Sequence, residues 1–228
     1  EKININGNFN TLEEVVRNNL IIDEGDPFNE ILFNRSINNI QSLGIFKKVN
    51  SNIQNGSKDN FKVIDLSVEE RPTGEISVSA GFGTVGGTIG AGIRENNFLG
   101  KGIKLDTNLE LTEDSIKGKF VYAKPNFNYS DNTLFTSIKS STSDFLSDSG
   151  YKTSELGFAL GTRFEQFQNI FLSPELDFLI EDLETSSKAS NTIKKQEGSY
   201  TDLYFNYSIN QDLRDKRFRT EDGYVTTF

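Results

Sequence analysis

The sequence contains no cysteine and no histidine among its 228 residues. Within this chain, their absence excludes disulfides, zinc sites built on those ligands, serine–histidine–aspartate triads and cysteine nucleophiles. The formal net charge of −9 argues against nucleic acid as a partner, because phosphate backbones attract basic surfaces. No apolar run reaches the roughly 18 residues of a transmembrane helix, which excludes helical membrane proteins. A membrane β-barrel is not excluded, since its strands alternate apolar and polar residues.

The first 70 residues predict a β-α-α-β-β unit with helical periods between its strands. Thr11–Glu14 matches a capping box at the start of the first helix. Asp26, followed by a proline, predicts the start of the second helix, and Gly44 is expected to end it in the left-handed conformation. The strands are expected over residues 2–7, 46–54 and 61–70.

From residue 75 onward, apolar and polar side chains alternate at period 2, which indicates a series of β-strands. Eight segments follow, and Tyr224–Phe228 begins a ninth. The first segment places alternate residues on opposite faces: Ile76, Val78, Ala80 and Phe82 against Ser77, Ser79, Gly81 and Gly83. The strands are close to the roughly 9–11 residues that a strand needs to cross a bilayer. Each has one apolar and one charged face, which suits lipid on one side of the sheet and a water-filled lumen on the other. A soluble sandwich or lipocalin-like barrel with the apolar face inward gives the same alternation and is the alternative.

Two other patterns have simpler interpretations than ligand binding. Residues 81–86 match G-x-G-x-x-G with Asp106 twenty residues on, but a dinucleotide site needs a helix after the glycines. Here the sequence alternates at period 2, so we expect a lightly packed hairpin, and we predict no cofactor and no metal. Several aromatic residues lie near the turns at one end of the predicted strands, where barrels carry an interfacial girdle: Phe98, Phe127, Tyr129 and Phe167.

Four segments carry a family resemblance: INGNFNTLEEVVRNNL, EGDPFN, RSINNIQSLGIFKKVN and VIDLSVEERPTGEISVSAGFG. They resemble the last POTRA domain of BamA-type outer-membrane assembly factors and the start of the barrel. NNFLGKG at 96–102 is similar to the family's first inner turn, and LRDKRFRTEDG at 213–223 to its mid-barrel turn. The resemblance implies an α+β POTRA domain over 1–72, then the first half of an antiparallel, all-β transmembrane barrel over 73–228. About eight further strands are expected beyond this chain.

The resemblance implies an assembly factor rather than an enzyme. It implies a bacterial outer-membrane location with the POTRA domain in the periplasm. The implied partners are nascent outer-membrane β-barrel proteins, accessory lipoproteins, periplasmic chaperones and outer-membrane lipid. In the family, this part of the POTRA domain docks a lipoprotein, which implies a docking role for Glu24 in the acidic turn Asp23–Asp26.

A sheet edge offers free N–H and C=O groups, so an incoming strand can add to it. The first barrel strand has small residues at alternate positions, and we predict that substrate strands pair with its edge: Ile76, Ser77, Val78, Ser79, Ala80, Gly81 and Phe82. The strand over 46–54 is a second candidate edge. Two alternatives stay open: a polypeptide secretion or translocation pore of the same superfamily, and a small structural barrel that closes within this chain.

Overall fold

The computed structural model describes residues 2–58, 61–83, 86–214 and 220–228. The turn expected over 213–223 therefore falls partly on residues outside the described ones, as do positions 84 and 85 of the glycine motif. The chain divides into two compact units. The first comprises Glu1–Gly74, Asn96–Ile103 and Gln211–Thr226, and the second comprises Glu75–Glu95, Lys104–Asn210 and Thr227–Phe228.

The first unit contains the predicted β-α-α-β-β arrangement. Its elements are β1 (Lys2–Asn6), α1 (Glu13–Arg17), α2 (Glu30–Ser42), β2 (Phe46–Asn55) and β3 (Lys62–Glu70). The strand order is β1-β3-β2, with β1 parallel and β2 antiparallel to β3. The sheet therefore has β1 and β2 at its two edges.

The core of this unit lies between the two helices and one face of the sheet. Its most deeply buried apolar side chains come from every layer: Val16, Ile40, Ile45 and Leu66. Each such side chain contributes roughly 1.5–3 kcal/mol on leaving water, which explains why two short helices stay in place.

The capping box predicted at Thr11 is wrong. Helix α1 begins at Glu13 with Leu12 in the N-cap position, and no side chain caps it. Thr11 is 3% exposed, and its hydroxyl accepts a hydrogen bond from Asn97 Nδ2 at 2.8 Å. A contact distant in sequence thus takes the hydroxyl that the local pattern assigned to the helix.

The start predicted for the second helix at Asp26 is also wrong. Helix α2 begins at Glu30, because Asn29 Oδ1 accepts the backbone N–H of Ile31 at 2.9 Å and of Leu32 at 3.2 Å. The end of the helix is as predicted: Gly44 follows it with φ +71°.

A nine-stranded sheet follows, with its strands in sequence order. They are β4 (Gly74–Gly83), β5 (Gly86–Phe98), β6 (Ile103–Thr112), β7 (Ser115–Lys124), β8 (Thr133–Phe145), β9 (Tyr151–Phe167), β10 (Ile170–Thr185), β11 (Gly198–Asp212) and β12 (Val225–Thr227). The eight predicted strands and the ninth are confirmed. Strands β6 to β10 pair antiparallel, and β4 and β12 are the two ends of a linear order.

The only other helical segments in the described ranges are short. A 3₁₀ turn spans Phe127–Tyr129, and helix α3 (Asn191–Lys194) lies in the long polar loop between β10 and β11. Across those same ranges, no helix has the length and apolar character needed to cross a membrane.

One face of the large sheet is apolar and exposed. Four side chains lie opposite one another on successive strands and are 38–47% exposed: Phe120, Ile138, Phe158 and Phe178. Their sequence neighbours Lys119, Lys139, Gly157 and Leu179 share the opposite face. A soluble barrel would bury the apolar row in its interior, so the soluble alternative is wrong. The exposed row fits a lipid-facing surface.

Candidate functional site: the edge of the first barrel strand

Strand β4 is the terminal strand of the large sheet and contains every residue predicted for the pairing edge. It pairs with β5 on one side, and no described strand lies on its other side. All ten residues from Gly74 to Gly83 are exposed. Such a strand presents a row of backbone donors and acceptors that can receive another strand.

The outer face of β4 is apolar and open. Ile76 is 79% exposed, Val78 78% and Phe82 96%. These values exceed those of the apolar row on β7–β10, as expected for a strand with a neighbour on one side. In a bilayer, lipid or an added strand would cover these side chains.

The inner face of β4 packs lightly because glycines of β5 face its serines. A Cβ atom on Gly90 would lie 2.5 Å from Ser79 Oγ, and one on Gly92 would lie 2.7 Å from Ser77 Oγ. A methyl group at either position would therefore force the facing serine hydroxyl to move, so glycine favours this close approach of β4 to β5. The two serines also line a concavity of about 630 Å³ on the polar face of the sheet.

The rest of this polar face carries paired charges. Lys139 Nζ lies 3.0 Å from Glu155 Oε1, and Arg94 Nε lies 2.9 Å from Asp106 Oδ2. Side chains of both pairs are partly exposed, which suits a wet lumen rather than a dry core. Within the described part of the chain, no three acidic side chains come close enough to hold a metal ion.

The two edges of the small sheet differ in how their backbones are covered. At β1, the N–H of Ile3 donates to Glu24 Oε1 at 3.0 Å, and its carbonyl accepts from Arg17 Nη2 at 3.0 Å. Arg17 Nη1 also lies 3.4 Å from Glu24 Oε1. The hydrogen bond from Ile3, aided by the Arg17 charge, lowers the pKa of Glu24. Glu24 thus covers part of the β1 edge, while β2 is exposed over most of its length.

A contact that sequence reasoning missed joins residues 7–12 to the turn 96–102. Leu12 N–H donates to the Gly100 carbonyl at 2.8 Å. Asn97 donates to the Thr11 hydroxyl and accepts the N–H of Gly102 at 2.8 Å. Gly100 has φ +70°, and a Cβ atom there would overlap the Asn10 carbonyl, so the position requires glycine. The NNFLGKG motif marked this turn, but nothing in the sequence indicated its partner.

Glu70 holds the same loop from the other side. Its carboxylate accepts the Thr11 N–H at 2.7 Å, the Asn10 N–H at 3.1 Å and Asn10 Nδ2 at 2.9 Å. Burial alone would raise the pKa of Glu70, but these donors outweigh it and hold the pKa below its ordinary value. The loop over residues 7–12 is therefore held by Glu70 of β3, and it is joined to the turn over residues 96–102 by hydrogen bonds from Asn97 and to Gly100.

Two family descriptions match the sequence. The POTRA family, described as a surface antigen variable number repeat, matches residues 1–71, and the Omp85 superfamily domain matches residues 97–228. This chain belongs to the Omp85 superfamily. With the exposed apolar face of its sheet, this membership assigns the strands to the bacterial outer membrane and the POTRA domain to the periplasm. The predicted family, fold class and location are confirmed.

Curated relatives are similar over about half of the chain. It is 31% identical over 130 residues to a putative outer membrane protein assembly factor of Treponema pallidum. It is 32% identical over 110 residues to the outer membrane protein assembly factor BamA of Neorickettsia risticii, and 29% over 128 residues to BamA of Neisseria meningitidis. These matches cover 54%, 48% and 55% of this chain, but 16%, 15% and 16% of the relatives' lengths.

Solved structures share the fold at low identity. Haemophilus ducreyi BamA lacking POTRA domains 1–3 matches all of this chain with a TM-score of 0.73 at 20% identity. CdiB from Acinetobacter baumannii matches all of it with a TM-score of 0.61 at 13% identity. The matches cover 46% and 45% of those chains, so this chain spans under half of either structure.

Proposed function

We propose that this chain is part of an outer-membrane assembly factor that folds β-barrel proteins into the membrane by strand pairing at the edge of β4. The observation that carries the proposal is the exposed terminal strand β4, with its serines packed against glycines of β5. The relatives named as assembly factors support it. We assign residues 1–72 to the POTRA domain and 73–228 to the first half of the barrel.

The mechanism follows from the cost of a free edge in lipid. Backbone groups without partners cost several kcal/mol each in a bilayer, so a membrane sheet edge gains strongly from a new strand. Because the inner face of β4 carries Ser77 and Ser79 rather than large side chains, β4 separates from a neighbouring strand at a smaller packing cost. The edge residues Ile76–Phe82 then pair with the substrate through their backbone.

The partners follow from the same arrangement. The substrates are nascent outer-membrane β-barrel proteins, delivered by periplasmic chaperones, and outer-membrane lipid surrounds the sheet. In the POTRA domain, β2 is a second edge for strand addition because it is an edge strand whose residues are exposed over most of its length, whereas side chains bond the backbone of β1 at Ile3.

An accessory lipoprotein docks beside Glu24. The carboxylate is exposed and negatively charged, and it lines a concavity of about 250 Å³ with Asp23 and Asp26. A basic partner surface suits this turn. Glu24→Lys should abolish copurification of the lipoprotein, whereas Glu14→Lys, on an exposed residue of α1, should leave it intact. Loss of copurification with both variants would contradict the assignment.

Cysteine crosslinking tests the pairing site. Ser77→Cys and Ser79→Cys are introduced one at a time, and an outer-membrane protein substrate with cysteines in its terminal strand is supplied. The matched control is Ser137→Cys, on the same polar face but on the interior strand β8. We expect substrate capture at 77 and 79 to exceed capture at 137 by at least tenfold. No capture at either β4 position would contradict the proposal.

A translocation pore of the same superfamily is the second candidate, favoured by the charged inner face around Lys139 and Glu155. A polypeptide that passes through the lumen would crosslink to Ser137→Cys as readily as to Ser77→Cys. The same experiment therefore separates the two functions. The linear order of the strands gives no support to the small closed barrel.

A further inference from the structure

One aromatic side chain of the first compact unit is almost fully exposed. Phe9 is 93% exposed, at the tip of the loop between β1 and α1. This loop is held in place: Gly7, with φ +91°, packs against the Val68 carbonyl, and Asn8 Nδ2 donates to the Thr11 carbonyl at 3.1 Å. The backbone is thus held on both sides of Phe9, and the Phe9 side chain lies outside the core.

The turn that contacts this loop presents a second apolar side chain. Leu99 is 69% exposed and has φ +57°, a conformation that leucine rarely adopts and that exposed turns normally give to glycine or asparagine. Leu99 precedes Gly100, which lies against the carbonyl of Asn10, the residue after Phe9. Phe9 and Leu99 are therefore each adjacent in sequence to the contact between Asn10 and Gly100, and both lie in the first compact unit.

We propose that Phe9 and Leu99 insert into the lipid interface of the periplasmic leaflet and anchor the POTRA domain to it. Lipid is the occupant because Leu99 lies one residue beyond β5 and four before β6, two strands of the membrane sheet. At that position the nearest apolar phase is the boundary between headgroups and acyl chains, where barrels carry their girdle residues. Phe9 reaches the same boundary because hydrogen bonds tie its loop to this turn.

Site-specific fluorescence in vesicles tests the anchor. This chain has no cysteine, so Phe9→Cys or Leu99→Cys gives a unique position within it for an environment-sensitive fluorophore. The labelled full-length protein is reconstituted in phosphatidylethanolamine–phosphatidylglycerol vesicles without substrate, and lipids brominated at shallow or deep chain positions serve as quenchers. Ile31→Cys is the matched control, because Ile31 is an apolar residue of the same unit, on α2, and is 71% exposed.

We expect shallow brominated lipid to quench the labels at 9 and 99 at least threefold more than the label at 31. A label at the lipid-facing position 138 should respond most to deep bromine, which verifies insertion of the sheet. If the labels at 9 and 99 are no more quenched than the label at 31, the anchor does not exist. That outcome would leave strand pairing at β4 unaffected, because no substrate is present in the assay.

Discussion

Replacing Glu70 by alanine removes the acceptor that fixes the loop before α1. Thr11 is 3% exposed, so its N–H, now 2.7 Å from the carboxylate, would lose its partner away from water. Losing a charge-assisted hydrogen bond from a buried donor costs about 1.5–3 kcal/mol. The donors of Asn10 are exposed and can turn to water, so they add little. We therefore expect the free energy of opening this loop to fall by about 1.5–3 kcal/mol.

Amide hydrogen exchange measures this loss directly. Since 1.4 kcal/mol corresponds to a factor of ten, Thr11 should exchange roughly 10- to 150-fold faster in Glu70→Ala. The matched control is Glu69→Ala, because Glu69 pairs only at the surface, with Lys47 at 2.9 Å. Exposed pairs contribute about 0–1 kcal/mol, so that variant should change exchange at Thr11 less than about fivefold. Equal acceleration in both variants would mean that the bond from Thr11 to Glu70 does not hold this loop.

Three further predictions concern the POTRA unit. Because the pKa of Glu70 is lowered in the folded protein, its carboxylate contributes its full stabilisation above the ordinary pKa of 4.5 and loses it as pH falls through the lowered value. Acid unfolding of Glu70→Ala should lack this pH-dependent loss of stability. Asn29→Ala should cost about 1 kcal/mol in urea unfolding because it removes the cap of α2, and Asp26→Ala should cost less than half of that. Gly7→Ala should cost more than about 1 kcal/mol in the same assay, since φ is +91° and the new methyl group would overlap the Val68 carbonyl.

Local sequence predicted the elements well where one period governs a whole segment. Alternation at period 2 suffices to predict a strand and its two faces, and Phe120, Ile138, Phe158 and Phe178 lie on the apolar face that it predicts. The same alternation predicted that the inner face of β4 carries only small residues. Which glycine meets which serine depends on register, and the pairs Ser79 with Gly90 and Ser77 with Gly92 needed the structure.

The failures occurred where two local signals compete or where the partner is distant. Asp26 and Asn29 are both good caps by residue type, and in the structure the side chain of Asn29 caps α2. The Thr11 hydroxyl bonds Asn97, 86 residues away, so no local rule could assign it. Glu24 was predicted as a docking residue. Its hydrogen bond from the Ile3 N–H joins positions 21 residues apart, so the local sequence did not indicate this bond either. The docking role stays a prediction.

A substrate strand that adds to β4 through its backbone must pair in one register, and the positions of crosslinks along the two strands measure that register. Ser77→Cys and Ser79→Cys are each combined with single cysteines along the substrate's terminal strand. Backbone pairing predicts one preferred substrate position for each, with the preferred position moving by two residues between 77 and 79. If both cysteines capture the same broad set of substrate positions, the substrate strand does not pair with β4.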